Sequence, residues 1–337
     1  MTRRPRIVFA VAGYAAIGMG HFYRALMFAS EFADCRVSFY CTRESADYAV
    51  ALAAKHYPCS VQQSPDLATD LLALAPDLVV NDLLDSPRAY MTALKAAGLP
   101  VVNFEDLGPG ADLADLVINA LYESSANNKG RVLCGHDHFC LRDEFLLAKP
   151  NPCRAKARNV LLTFGGTDPK NYTRLCLDAL YPECLARDLR LRVVVGPGYA
   201  HKDSLVRRIK ELDAPGRRIA FTDVSNVMSR EMQGADLAVC SAGRTVYELA
   251  HMRIPALVLA QHEREESHGF AAPKRGFLTL GVQEAALAGN ILTAFRNLLD
   301  ADKRRELHQA MSGLDFTKNK ARVVDCIRAL LLLHSPQ

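Results

Sequence analysis

The residue types able to do chemistry in this chain gather in three glycine-bearing segments. The first is Gly18-Met19-Gly20-His21-Phe22-Tyr23-Arg24. Glycines let a backbone approach an anion closely, and the first amides of a following helix point free N–H groups at it. His21 and Arg24 add a titratable base and a fixed cation beside that position. The second segment is Phe164-Gly165-Gly166-Thr167-Asp168, and the third is Cys240-Ser241-Ala242-Gly243-Arg244-Thr245, ahead of Tyr247 and Glu248. Each alone also reads as a plain tight turn. Together, after strand ends and divided between two halves of the chain, they imply a diphosphate-bearing ligand bridged across a cleft. Glu248 stands about a helical turn beyond its loop. It is placed to accept hydrogen bonds from sugar hydroxyls while loop amides hold phosphate, although without the loop it would read as a solvated glutamate.

Elements that would position these segments are legible in the apolar pattern. Ile7 to Ala12 is a continuous apolar run, the mark of a central parallel strand covered on both faces, and Phe22, Ala25, Leu26 and Ala29 follow at helical spacing. The alternation recurs with strands at Val37–Tyr40, Leu78–Val80, Val101–Phe104 and Leu116–Ile118, and helices at Glu44–Ala54 and Pro87–Ala97. After a polar, proline-containing stretch over 146–158 it restarts at Asn159–Phe164, Leu191–Val195, Leu237–Val239 and Ala256–Leu259. The fold class is α/β, with two Rossmann-like domains of parallel sheet facing a central cleft. The expected domains are 1–148 and 157–337. The last helices, Lys303–Met311 and Asn319–Leu333, fit against either.

Composition removes several classes. The 337 residues hold 41 Lys and Arg against 37 Asp and Glu, a net charge of +4 that forms no dense basic stripe and disfavours nucleic acid as a partner. The 10 cysteines lie scattered without a C-x-x-C pair, which suits free thiols in a reducing, cytoplasmic compartment. Apolar stretches fall short of the roughly 20 residues that span a bilayer, so no integral membrane segment is expected. Arg3, Arg4 and Arg6 ahead of Ile7 imitate a signal peptide, but Gly13, Gly18 and Gly20 break the run and a buried first strand accounts for it better. Cys134-Gly135-His136-Asp137-His138-Phe139-Cys140 imitates a zinc site. In an extended strand, expected to end at Leu141-Arg142, its cysteines would stand roughly 20 Å apart, too far for one ion, unless Gly135 turns the chain. No metal and no cofactor are expected. A G-x-S-x-G elbow, a P-loop and an H-E-x-x-H pair are missing, and Gly18-Met19-Gly20 lacks the third glycine of a dinucleotide fingerprint.

Taken in order, Gly18-Met19-Gly20-His21 with Arg24, Phe104-Glu105-Asp106, Leu141-Arg142-Asp143-Glu144-Phe145, Gly165-Gly166-Thr167-Asp168-Pro169 and Ser241-Ala242-Gly243 through Glu248 cover nearly the whole chain. The set resembles the nucleotide-sugar hydrolases of pseudaminic acid biosynthesis and the related spore-coat polysaccharide proteins. More distantly it is similar to inverting two-domain glycosyltransferases that use UDP-sugars. The resemblance implies a GT-B architecture, with the catalytic and acceptor side in 1–148 and the nucleotide held by 157–337. It also implies metal-independent release of UDP from a UDP-linked diacetamido-trideoxy sugar, with inversion at the anomeric carbon. His21 would position or deprotonate the attacking water, with Gly18, Gly20 and Arg24 on the substrate. Gly165, Gly166, Thr167, Asp168, Ser241, Ala242, Gly243, Thr245 and Glu248 would hold diphosphate and ribose. The chain departs from the family at Asn81-Asp82-Leu83, where a tyrosine facing the substrate is lost. It departs again at Arg264-Glu265, followed by Glu266 and His268, where the family carries Asn-Gln. Arg264, Glu265 and His268 therefore stand where sugar or phosphate contacts are expected.

A histidine at a helix N-terminus has its cationic form disfavoured by the dipole and can serve as a base near pH 7. Water is the leading acceptor. The second reading is a glycosyltransferase in which His21 or Asp82 activates an acceptor hydroxyl of a glycan or lipid. Tyr14, Ile17, Met19 and Phe22 would mark such an acceptor surface, although core and turn packing is the better account of them. A binding subunit without chemistry is the third reading, and the retention of His21 argues against it. UDP is favoured over CMP as the nucleotide.

Overall fold

The computed structural model describes residues 3–14, 18–123, 131–282 and 287–334. It divides into two units, Met1–Cys140 with Lys318–Gln337, and Leu141–Thr317, each built on one parallel sheet flanked by helices.

In unit 1 the strands are β1 (Arg6–Val11), β2 (Arg36–Cys41), β3 (Cys59–Val61), β4 (Leu78–Asp82), β5 (Val101–Phe104), β6 (Leu116–Asn119) and β7 (Val132–Cys134), in the order β3-β2-β1-β4-β5-β6-β7. The apolar run that opens the chain is β1, and both of its faces are buried. Ile7, Phe9 and Val11 pack with Phe22, Phe28 and Phe39, while Val8 and Ala10 pack with Met91 and Leu94 on the other side. That two-sided burial is why the run does not alternate. Strand order reverses between β1 and β4, where Val11 pairs with Asp82. In a doubly wound sheet, ligands bind beyond the carboxyl ends of the strands at such a switch point.

Unit 2 repeats the plan with β8 (Asn159–Thr163), β9 (Arg190–Val195), β10 (Ile219–Asp223), β11 (Leu237–Ser241), β12 (Ala256–Leu259) and β13 (Phe277–Gly281), in the order β10-β9-β8-β11-β12-β13. Its switch point lies between β8 and β11. The two glycine loops expected to hold phosphate are the segments that leave those two strands.

Three expectations are corrected. The terminal helix Asn319–Leu333 belongs to unit 1, not to a domain spanning 157–337, because Val323, Val324, Ile327, Leu330 and Leu331 join the core of Phe9 and Phe28. Asn319 pins its start by donating to the carbonyls of His136 and Phe139 at 2.9 and 3.0 Å. The stretch 146–158 is not a linker, since unit 2 begins at Leu141. Asn151 there donates to the carbonyls of Met232 and Ala235 at 2.9 and 3.0 Å. Backbone satisfaction of this kind leaves no hydrophobic period to read. Finally, the strand expected to run to Leu141-Arg142 ends at Cys134. Gly135 takes φ 83° and one 3-10 turn covers His136–His138. Among the described residues no three His, Cys, Asp or Glu side chains gather as a metal site, and no helix is long and apolar enough to cross a membrane.

Candidate active site

His21 is the second residue of the Gly20–Ala29 helix, which enters from the loop after β1 through Gly18 at φ 81°. The left-handed backbone there is open only to glycine without strain. Its neighbour Gly13 lies so close to Phe22 that a Cβ would fall 2.5 Å from the ring. This fixes the entry angle of the helix. His21 Nδ1 lies 2.5 Å from Asp82 Oδ1, at the end of β4. A carboxylate can only accept, so a proton on Nδ1 joins the pair, and the buried carboxylate fixes the orientation of the ring.

Arg24, one turn along, donates from Nε to Asp82 Oδ2 at 2.7 Å and from Nη2 to Asp82 Oδ1 at 2.5 Å. Its Nη1 reaches Glu105 Oε1 at 3.2 Å, and the guanidinium lies over the Phe104 ring, 5.3 Å from its centroid. Arg24 and Asp82 are buried, with relative exposures of 4% and 0%. Burial opposes the charge of Asp82, but Arg24 and His21 outweigh it and hold the carboxyl below its usual range. Burial likewise opposes the Arg24 cation, and Asp82 and Glu105 overcome it. Arg24 thus donates to two carboxylates, and both oxygens of Asp82 are engaged. The next residue along, Asn81, accepts from Tyr90 Oη at 2.7 Å and donates to Asn103 at 2.9 Å, so a satisfied polar network steadies the ends of β4 and β5. Met19 and Phe22 lie in the core. Tyr14 is half-buried, and Ile17 lies outside the described residues.

In unit 2 the loop after β8 turns at Gly165, φ 79°, and is buttressed from β9 by Gly196, a residue the motif reading missed. A Cβ on Gly196 would lie 2.4 Å from Gly166 Cα, and Gly198 N–H donates to the Gly166 carbonyl at 2.9 Å. Only a glycine-proline-glycine pattern after the strand, Gly196-Pro197-Gly198, signalled it. Thr167 is half-buried in that loop. The Asp168 carboxylate receives the first amides of the helix Tyr172–Ala186, accepting from Tyr172 and Thr173 N–H at 2.9 and 2.8 Å. Burial nevertheless pushes its carboxyl upward.

The loop after β11 brings Ser241, Ala242 and Gly243 to the same edge, with Thr245 opening the helix Thr245–His251. Ser241 Oγ stands 3.9 Å from the Cβ position of both Gly165 and Gly243. On the helix, Glu248 receives Arg142 Nη2 and Nε on one oxygen, Oε1, at 2.9 and 3.2 Å. Arg142 also meets Glu144 at 2.8 Å, and Glu144 accepts from Ser229 N–H at 2.9 Å. Arg142 thereby orients Glu248, a role its place in the Leu141–Phe145 motif did not disclose. Beyond β12, Glu265 accepts from the amide of Gln261 at 2.8 Å on Oε2, and its Oε1 lies 3.5 Å from the Cβ position of Gly243. His268 Nδ1 lies 3.0 Å from the Ala242 carbonyl, and Arg264 is half-exposed on the Glu263–Glu266 turn. Gly165, Gly166, Ser241, Ala242, Gly243 and Glu265 thus converge at the switch point of unit 2.

Known structures share this plan. MurG of Acinetobacter baumannii superposes with a TM-score of 0.65 at 17% identity, covering 96% of this chain and 100% of that one. The Anabaena protein HepE, solved in complex with UDP, superposes at 0.62 and 15%, with 96% and 100% covered. The fold is of GT-B type. In sequence, the chain is a homologue of the spore coat polysaccharide biosynthesis protein SpsG of Bacillus subtilis, 28% identical over 96% of this chain and 97% of that protein. An uncharacterized protein of Methanocaldococcus jannaschii is 27% identical over 77% of the chain, which spans 56% of that longer relative. No family model matches the chain.

Proposed function

We propose that the protein is a nucleotide-sugar-using enzyme of polysaccharide biosynthesis, and that its reaction is inverting, metal-independent hydrolysis of a UDP-linked amino-deoxy sugar destined for a surface glycan of the pseudaminic acid kind. The observation that carries the reading is the His21–Asp82 pair at the unit 1 switch point, a base oriented by a buried carboxylate. His21 Nε2 takes a proton from water as the water oxygen bonds to the anomeric carbon. The bond from that carbon to the diphosphate oxygen breaks, and UDP leaves with the electron pair. Amides of the Gly165 and Gly243 loops stabilise the leaving charge, and Glu248 accepts from the ribose hydroxyls. UDP as the nucleotide is supported by the solved UDP complex of HepE. None of the ten cysteines forms a disulfide, which supports a reducing, cytoplasmic setting.

The second reading is a transferase of the same fold, favoured by the structural likeness to MurG and to the spinosyn rhamnosyltransferase SpnG, at TM-scores of 0.65 and 0.62. Burial of Met19 and Phe22 supports packing as the role of those two residues. The test is a metal-free incubation with UDP- and CMP-linked deoxyamino sugars in the absence of any acceptor, followed by NMR. Release of UDP with a free, inverted sugar, lost in His21→Ala, is expected. Binding without release would move the assignment to the transferase.

A further inference from the structure

A carboxyl group already sits where the phosphate is expected in unit 2. Glu265 belongs to the short turn after β12, and both of its hydrogen-bonded donors are backbone amides, those of Gln261 and of Ala242 in the loop after β11. Its Oε1 lies beside Gly243, and Gly243 in turn lies beside Ser241. A phosphate oxygen recognises the same geometry of converging N–H donors at glycine.

The charges around it do not neutralise it. From the loop after β8, Asp168 opposes ionisation of Glu265 and Lys170 favours it. Lys170 is exposed and lies over the Tyr172 ring, 5.8 Å from its centroid, rather than in an ion pair with the carboxyl. On β11 and the helix after it, the groups are the buried thiol Cys240 and the carboxylate Glu248. His268 faces the Ala242 carbonyl. Its own turn carries His262, Arg264 and Glu266. Burial dominates, and the Glu265 carboxyl is pushed up to about 7. A second, independent observation points the same way. Gln261 is 6% exposed and donates its side-chain amide to the Phe164 carbonyl at 3.1 Å, while its Oε1 is buried with no hydrogen-bond partner among the described residues. An unmet, buried acceptor on the residue whose backbone amide holds the carboxyl asks for a donor, which a ligand supplies.

We propose that Glu265 is a resident anion in the nucleotide site: its carboxylate holds the amides of Ala242 and Gln261, and the diphosphate of an incoming nucleotide takes them over as the carboxyl picks up one proton from solvent. This rests on the nucleotide reading above and adds a regulation to it. Substrate capture weakens as the medium becomes alkaline, because the diphosphate must then displace a charged carboxylate rather than a neutral acid.

UDP binding by calorimetry from pH 6 to 9, in wild type and in Glu265→Gln, tests it. Comparing the two proteins cancels the titration of UDP itself. The variant is expected to bind like wild type at pH 6 and about tenfold more tightly than wild type at pH 8, the ratio growing about tenfold per pH unit above 7. Repeating the titration at pH 8 in buffers of different ionisation enthalpy is expected to show one proton fewer taken up by the variant. Parallel pH profiles in the two proteins would overturn the proposal and leave the UDP reading standing. Loss of UDP binding in Glu265→Gln at every pH would also overturn it, since the ionised carboxylate would then be needed. If neither protein binds UDP at any pH, the nucleotide reading itself falls and takes this proposal with it.

Discussion

Asp82 in unit 1 and Glu265 in unit 2 are carboxyl groups at the switch points of two similar sheets, and their surroundings drive them in opposite directions. Asp82 is fully buried, yet it stays ionised because Arg24 and His21 occupy both of its oxygens. Glu265 is only half-buried by exposure, yet burial wins, because backbone dipoles and a distant Lys170 replace a bonded cation. Depth alone does not set the protonation of a buried acid. The partner does. Unit 1 therefore carries a charge-compensated carboxylate, and unit 2 an uncompensated one, whose charge is proposed to give way when an anion arrives.

The sharpest way to break this contrast is Asp82→Asn, which keeps the shape and removes the charge. Turnover of the nucleotide sugar is expected to fall by about a hundred- to ten-thousand-fold as His21 loses its fixed tautomer. Stability to denaturant is expected to drop by about 3–5 kcal/mol, because Arg24 is left buried with half its compensation. A folded Asp82→Asn protein with unchanged turnover would remove Asp82 from the site. Next in size is Glu248, the proposed ribose contact. Glu248→Ala is expected to weaken UDP binding by about 1–3 kcal/mol in calorimetry. Arg142→Gln is expected to cost about 1 kcal/mol and to shrink the preference for UDP over its 2′-deoxy analogue, a ratio that a purely structural role would leave alone. Equal losses for both nucleotides would assign Arg142 to folding only.

The smallest effect is on stability against pH. A carboxyl raised above its unfolded value binds more protons in the folded state, so its contribution is fully present below the unfolded value near 4.3 and is lost as pH rises toward 7. Glu265→Gln is therefore expected to melt at a higher temperature than wild type at pH 8, with the advantage vanishing near pH 4. Asp82 carries the opposite sign: its stabilisation is present above the ordinary carboxylate range and is lost as pH falls through its lowered folded value. Melting curves that stay parallel across pH for Glu265→Gln would mean that the carboxyl is not raised.

Much of this molecule can be read from local sequence. Two-sided burial of parallel strands writes a continuous apolar run, so β1, β5, β8 and β12 were legible to within a residue or two, and so was the terminal helix Asn319–Leu333. The glycine segments were legible because their backbones need conformations or approaches that a side chain forbids, as at Gly18 and Gly165. His21 stood out for its type and its place at a helix start. What the three-dimensional fold alone decided is which charges meet. Arg24 meets Asp82, 58 residues away in the chain, and the Asp168 carboxylate meets the first amides of the helix that follows it. Arg142 and Glu248, 106 residues apart, became a pair only through packing, and the terminal helix found its unit the same way. Apolar periodicity is a property of neighbours along the chain, whereas the state of a buried charge depends on whichever group lies across from it in space. The first is written in the sequence, and the second exists only once the chain has folded.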